Sequence, residues 1–463
     1  MVTMTLNHFD YLISTIAPIF IVVIISFLVI IKLIEVSKNP KKKLQELSID
    51  SPENAHGIIF GKKKKKVVYS PTDNEGSIGI FSATGTGKTS ALGIPTLRSW
   101  SGTSFSIDIS GDICRNCPDM PHKIIYEPEN PETTPYNIFD CIDTLNDPND
   151  QNEALEQLAF LLIPDTATND NARFFADGGR KILTAALIAY YHLGMDFIKI
   201  CEKIVSSSYV SLFSAIDKTK NRNAILYINS FEDASEQNTG GCKQACDDAI
   251  KLFATNAKVK NSIHRPGPNE TAITPALLET HNIFLIVDDP KLTLYSPLLN
   301  IITNQMMQYI SNRKVDKNSK TILLFLDEYA SLRLNAITIL EALRKYRKRK
   351  CRLMLLTQNL ADLNILYGSE ITRAIMANLR FKVLLGGLNE TESQKYFADL
   401  IGYKETKRYS KSTNSMQVTH TETETKEYII DPAELDRQGK DTVILIHPEG
   451  DGYMLLKKNY YFK

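Results

Sequence analysis

The chain has 463 residues, enough for two or three domains and a large core, and carries 54 basic against 53 acidic side chains. That balance excludes a whole-molecule field for polyanions, so any affinity for nucleic acid rests on local patches. Seven scattered cysteines, an odd number, suit a reducing compartment better than a disulfide framework.

Residues 1–10 hold no Lys or Arg and read as a short extracytoplasmic N-terminus. Residues 11–31, Tyr11 to Ile31, carry no charge and are dominated by Ile, Val, Leu and Phe, the length of a single transmembrane helix. Lys32, Lys38, Lys41, Lys42 and Lys43 follow, so the positive-inside rule puts the bulk of the chain in the cytoplasm, behind the inner (cytoplasmic) membrane. A cleaved signal peptide fits worse, because its basic residues precede the apolar run. Residues 32–73 form a basic membrane-proximal linker in which Lys62 to Lys66 are consecutive. These lysines suit anionic headgroups or, equally, the solvated edge of a hairpin around Gly61.

A strand from Ser77 to Ser82 then breaks into Ala83-Thr84-Gly85-Thr86-Gly87-Lys88-Thr89-Ser90, a phosphate-binding loop. The N–H groups of such a loop and of the helix after it make a concavity for phosphates, where Lys88 reaches the β and γ oxygens and Thr89 holds Mg²⁺. Ser82 stands where this pattern usually has its first glycine, in a turn that favours glycine. The helix is expected to run only until Pro95 constrains it. Further strands follow at 103–108, ending Asp108-Ile-Ser-Gly-Asp112, and at Lys123 to Tyr126. Alternating strands and helices predict a parallel sheet with the site at one edge.

Residues 137–280 switch to helical periodicity, with Leu155, Leu158 and Leu162 and then Phe175, Ile182, Leu183 and Ala186 recurring at helix spacing. They read as an inserted all-α domain between two parts of a nucleotide-binding domain, 74–136 and 281–463. Cys114-Arg-Asn-Cys117 and Cys242-Lys-Gln-Ala-Cys246 lie far apart with no histidine at ligand spacing, and no metal is assigned to them.

After a strand at 283–287, the run Thr321 to Leu326 leads straight into Asp327-Glu328. Asp327 is placed to hold the Mg²⁺ shell and Glu328 to polarise the attacking water. Gln358 closes the next strand, where it contacts the γ-phosphate or its water, or only caps a turn. Seven cations fall between Arg344 and Arg352. They suit a subunit seam or a DNA backbone, or alternatively a solvated helix end. Two last apolar strands are expected at 381–385 and 442–446, with a mobile Thr/Ser/Lys/Glu-rich loop from Lys404 to Lys426 between them.

Taken together, these residues resemble the membrane-anchored coupling ATPases of type IV secretion and conjugation, the TraG/TraD-like branch of the FtsK-type translocases. The resemblance runs from His56 to the C-terminus. It is carried by Ser82 to Thr89, Asp108-Ile-Ser-Gly-Asp112, Phe174-Phe-Ala-Asp-Gly-Gly-Arg-Lys-Ile-Leu183, Leu324-Phe-Leu-Asp-Glu-Tyr-Ala330 and Thr357-Gln358-Asn-Leu-Ala-Asp-Leu363, the last about 30 residues after Asp-Glu. Ser82 and Ser110 depart from it, replacing a Gly and a Lys, and there is one span where many relatives have two. The resemblance implies an α/β fold: a RecA-like P-loop NTPase domain with an inserted all-α domain, behind one N-terminal transmembrane helix. It also implies a homo-hexamer that uses ATP and Mg²⁺ to move single-stranded DNA with its relaxase, or protein substrates, to a secretion channel. An arginine acting in trans best matches Arg347, with Arg344 second. The alternatives are a double-stranded DNA pump of the FtsK kind and a nucleotide-binding cargo adaptor without turnover.

Overall fold

In the computed structural model, residues 45–48, 55–165, 169–414, 417–448 and 452–462 are described. The apolar segment at 11–31 and most of the linker before residue 55 lie outside them. Among the described residues no helix is long and apolar enough to cross a membrane.

The fold is built on uninterrupted apolar runs. The strands β4 (Ser77–Phe81), β5 (Thr103–Ile109), β7 (Asn282–Val287), β8 (Ile322–Leu326) and β9 (Cys351–Thr357) are buried at every position, as strands covered on both faces must be. The polar members of β5 are matched: Thr103 Oγ1 donates to the Leu278 carbonyl at 2.6 Å and Ser104 Oγ to Asn282 Oδ1 at 2.9 Å. With β6 (Lys123–Tyr126) and β10 (Leu379–Leu384), these strands run parallel in the order β10-β4-β9-β8-β5-β7-β6. β4 is thus flanked by β9 on one side and β10 on the other, and the loops at their C-terminal ends share one edge.

Beyond β10 the sheet continues through β13 (Thr442–Ile446), β14 (Tyr453–Lys457), β2 (Gly57–Lys63), β3 (Lys66–Pro71) and β1 (Gln45–Ser48). The steps from β10 to β3 are antiparallel, so the sheet is mixed and the whole is an α/β fold. Three features of this region correct the sequence reading. The lysine run is a hairpin, but it turns at Lys64 and Lys65, with Lys64 at φ 55, while Gly61 sits at a bulge. β14 was not expected, because it is short and its apolar residues lack a burial pattern, Leu456 being buried while Leu455 is exposed. Lys404 to Lys426 is no loop but most of a two-stranded ribbon, β11 (Tyr403–Asn414) against β12 (Gln417–Tyr428). Threonine favours strands, and Lys404 opposite Glu427, Glu405 opposite Lys426 and Lys407 opposite Glu424 match charge across the ladder.

Between β6 and β7 the described chain is helical. Its centre is the Asp170–Tyr191 helix, capped by Asn169 and packed on the Glu236–Thr255 helix. The two approach closely through glycines: a Cβ on Gly178 would lie 2.2 Å from Cys242 Sγ, and one on Gly241 2.4 Å from Phe175 Cε1. Cys242 and Cys246 are buried in that seam as packing atoms. Pro95, expected to stop its helix, sits in the first turn of Ile94–Ser99, entered through a π-wound turn over Lys88–Gly93. The Ser90 carbonyl, which an N–H at position 95 would have met in that winding, is taken instead by the Tyr461 N–H at 3.1 Å.

Candidate nucleotide-binding site

The loop after β4 owes its shape to two glycines in the left-handed region, Gly85 at φ 76 and Gly87 at φ 97. Ser82 is not among the positive-φ residues, so the residue that replaces glycine in the pattern needs no glycine conformation. Its buried hydroxyl lies 2.6 Å from Thr86 Oγ1, which donates to the Ala83 carbonyl at 2.8 Å, cross-linking the loop from within. Ser110, the other departure, does bear strain, at φ 82.

Lys88 opens the following helix and is almost fully buried. Its ammonium donates to the Ser82 carbonyl at 2.9 Å and the Ala83 carbonyl at 3.4 Å, and stands 3.4 Å from Glu328 Oε1. The phosphate loop and the acidic pair, about 240 residues apart in sequence, therefore meet at one ammonium. Asp327 directly follows β8, its N–H donating to the Ile107 carbonyl of β5 at 3.3 Å. Burial, with Glu328 and Asp108 nearby, pushes its carboxyl up to about 7. A buried carboxylate disfavoured in this way, beside the loop that carries Thr89, is the donor set a divalent cation suits. Glu328 takes a left-handed backbone at φ 43 and ψ 48, unusual for a non-glycine residue, and this turns it out of the strand toward Lys88. Gln358 is half-buried at the tip of β9, the strand between β4 and β8, where the Thr357 carbonyl accepts from the Ser82 N–H at 3.3 Å.

Arg344 and Arg347 lie elsewhere. They precede β9, whereas the phosphate loop follows β4, so they stand at the opposite edge of the parallel sheet. Arg347 pairs with Glu75 at 2.5 Å, and both arginines line a cleft of about 650 Å³ with Arg380 and Lys382. Within one chain neither meets Lys88. The cation cluster is also smaller than its sequence. Arg352 is buried inside the sheet, donating to the carbonyls of Gly76 at 3.0 Å and Pro71 at 2.9 Å and to Ser70 Oγ at 3.0 Å. Arg349 bonds the Arg313 carbonyl and Lys350 the carbonyls of Lys317 and Ser319.

Several residues at the site escaped the sequence reading. Asp108 was read only as a strand end; its carboxylate caps the short Asp112–Arg115 helix, accepting from the N–H groups of Ile113 at 3.3 Å and Cys114 at 2.7 Å. Its signal was a lone acid at the end of a buried strand. Asp362, four residues past Gln358, has its carboxyl pushed up by burial and by Glu328. Lys458 donates to the Thr86 carbonyl at 2.7 Å and the Leu385 carbonyl at 3.3 Å, and Tyr460 lies against Gly87. Nothing local in sequence marks these last two, because only the far end of the sheet brings them to the loop.

The family described as Type IV secretory system Conjugative DNA transfer matches residues 37–463. A probable conjugal transfer protein TraG from Sinorhizobium fredii (strain NBRC 101917 / NGR234) is 24% identical over 340 residues, 70% of this chain and 52% of that protein. The chain thus spans about half the length of that curated relative. Among solved structures, the bacterial conjugative coupling protein TrwBdeltaN70 in an unbound form is 18% identical with a TM-score of 0.65, covering 84% of this chain and 85% of its own. The plasmid coupling protein TrwB with the ATP analogue ADPNP is 18% identical with a TM-score of 0.68, covering 90% and 93%. The same protein with ADP and Mg²⁺ is 16% identical with a TM-score of 0.67, covering 90% and 94%. At these identities the structural likeness is one of fold. The family match, by contrast, takes in the loop, the acidic pair and the glutamine strand together: the chain belongs to the type IV secretory system conjugative DNA transfer family.

Proposed function

We propose that this protein is a membrane-anchored coupling ATPase that recruits relaxase-bound single-stranded DNA, protein substrates or both, and feeds them to a type IV secretion channel. The observation that carries the reading is the meeting of Lys88 with Glu328 at 3.4 Å beside the buried Asp327. ATP is the phosphoryl donor, and Mg²⁺, when bound, would supply the charge that neutralises its phosphates. The loop from Ser82 to Ser90 cradles phosphate with its N–H groups, and Lys88 leaves its carbonyl partners for phosphate oxygen. Thr89 and Asp327 would hold the metal. Glu328, exposed enough to meet solvent, accepts the proton of the attacking water, and Gln358 orients that water.

Residues 74–136 and 281–463 form a RecA-like nucleotide-binding domain, 137–280 an inserted all-α domain that receives cargo, and 11–31 the anchor in the inner membrane. Six copies form a ring in which Arg347, or failing that Arg344, completes the neighbour's site. The separation of these arginines from their own chain's Lys88 supports catalysis across a seam. The experiment is DNA transfer between cells that carry the parental chain or Lys88→Ala. Transfer should be lost while the variant remains in the membrane; normal transfer would remove the motor. A chain that binds ATP but turns none over under any condition would be a cargo adaptor instead.

A further inference from the structure

The phosphate loop has two flanks, and they differ in chemistry. On the β9 and β8 side stand Asp327, Glu328 and Gln358, the groups for the γ end of a nucleotide. The nucleoside end therefore projects over the β10 side, where no acidic pair stands. That side is formed by the turn after β10, the Gln438 turn and the segment after β14.

We propose that this flank is the nucleoside subsite, with Tyr460 the platform for a purine base and the Gln438 amide the reader of its edge. The proposal rests on the nucleotide reading above and names its base-binding residues. Three observations carry it. The chain after β14 is tied to the loop by two backbone contacts: the Lys458 ammonium donates to the Thr86 carbonyl at 2.7 Å, and the Tyr461 N–H donates to the Ser90 carbonyl at 3.1 Å. Between these ties the Tyr460 ring is held so that a Cβ added to Gly87 would lie 3.3 Å from Cε1. An aromatic ring beside Gly87 is placed to stack a base once its phosphates occupy the loop.

The second observation is Gln438. Its amide nitrogen and oxygen are both buried with no hydrogen-bond partner among the described residues. A buried unpaired amide is costly, and a purine edge offers the adjacent donor and acceptor that would satisfy both atoms. Because the amide can rotate, it serves adenine and guanine alike.

The third is the turn between them. Gly386 and Gly387 adopt φ 91 and 68; a Cβ on Gly386 would lie 3.3 Å from Gln438 Cβ, and one on Gly387 2.8 Å from Ala83 Cβ. Side chains at these positions would collide with the loop and with Gln438, so the two glycines let the turn pack against both and bring the amide to the flank of the loop.

The test measures binding of Mg-ATP and of inorganic tripolyphosphate to the full chain purified in detergent, for the parent, Tyr460→Leu, Tyr460→Phe and Gln438→Leu. Tyr460→Leu should weaken ATP about tenfold, the order that one base–aromatic stack supplies, and Tyr460→Phe by no more than about twofold. Gln438→Leu should also weaken ATP, and tripolyphosphate should bind all four proteins equally. Equal loss of both ligands in Tyr460→Leu would reduce Tyr460 to a prop for the loop and overturn the proposal, as would unchanged ATP binding. A parent that binds neither ligand would overturn the nucleotide reading itself, a separate result.

Discussion

Asp327→Asn should make the folded chain more resistant to alkali while abolishing its chemistry. Burial raises the Asp327 carboxyl from 3.8 to about 7, so the folded state holds a proton that the unfolded state has released over that range. Ionisation of this group therefore opposes folding. The stability it leaves intact is full below the unfolded value and is lost as pH rises from about 4 to about 7. Between about pH 5 and about pH 8 the loss comes to roughly 2–3 kcal/mol, taking about 1.4 kcal/mol for each pH unit over which only the unfolded state is deprotonated. Asparagine keeps the shape and cannot titrate. With about 2.1 cal/mol/K of unfolding entropy per residue, a chain of this size shifts by roughly 1 °C per kcal/mol. The melting temperature of Asp327→Asn relative to the parent should thus rise by about 3 °C on going from about pH 5 to about pH 8. Thermal melts of both proteins across that interval read this directly, and Mg²⁺ with ADP should narrow the gap by giving the parent's carboxylate its cation. A difference that stays flat or falls with pH would refute the argument that burial holds Asp327 protonated.

Glu328→Gln should retain ATP and lose turnover, whereas Glu328→Gly should also lose turnover but melt higher, because glycine relieves roughly 1 kcal/mol or more of left-handed strain; turnover at the parental rate in either would take the base role from Glu328. Arg347→Ala should lose hydrolysis by about a thousandfold, as arginine fingers do. Mixing it with Lys88→Ala should recover part of the activity at mixed seams, and mixtures as inactive as their components would place the finger elsewhere. Arg352→Met should lower stability by about 3 kcal/mol, since three buried acceptors lose their donor. Its DNA affinity at rising salt should track the parent's, and a reduced salt slope would return Arg352 to the nucleic-acid surface.

The buried strands were legible because runs such as Ile322–Leu326 are short, apolar throughout and bounded by polar residues, and the loop was legible because its glycines and Lys88 fall at fixed spacing. Asp327 and Glu328 were found by standing at the end of such a run. What escaped is what only tertiary contact creates. The Lys404 to Lys426 stretch has the composition of a loop, and its ladder depends on which residue faces which across the hairpin. Arg352 looked like one more surface cation, since sequence does not tell a helix end from the first buried residues of the next strand. Pro95 was read as a stop because the carbonyl it would orphan is bonded by Tyr461, about 370 residues further on. Lys458 and Tyr460 reach the loop by the same long route.

Lys88, Asp327 and Glu328 are proposed to form an ATP-hydrolysing site that works between copies on a DNA track. ATP turnover by the full chain, measured across protein concentration with and without single-stranded DNA and beside Lys88→Ala, tests it most directly. The account predicts turnover that single-stranded DNA stimulates, that rises more than linearly with protein and that vanishes in Lys88→Ala. Turnover proportional to protein and indifferent to DNA, or equal in the variant, would contradict it.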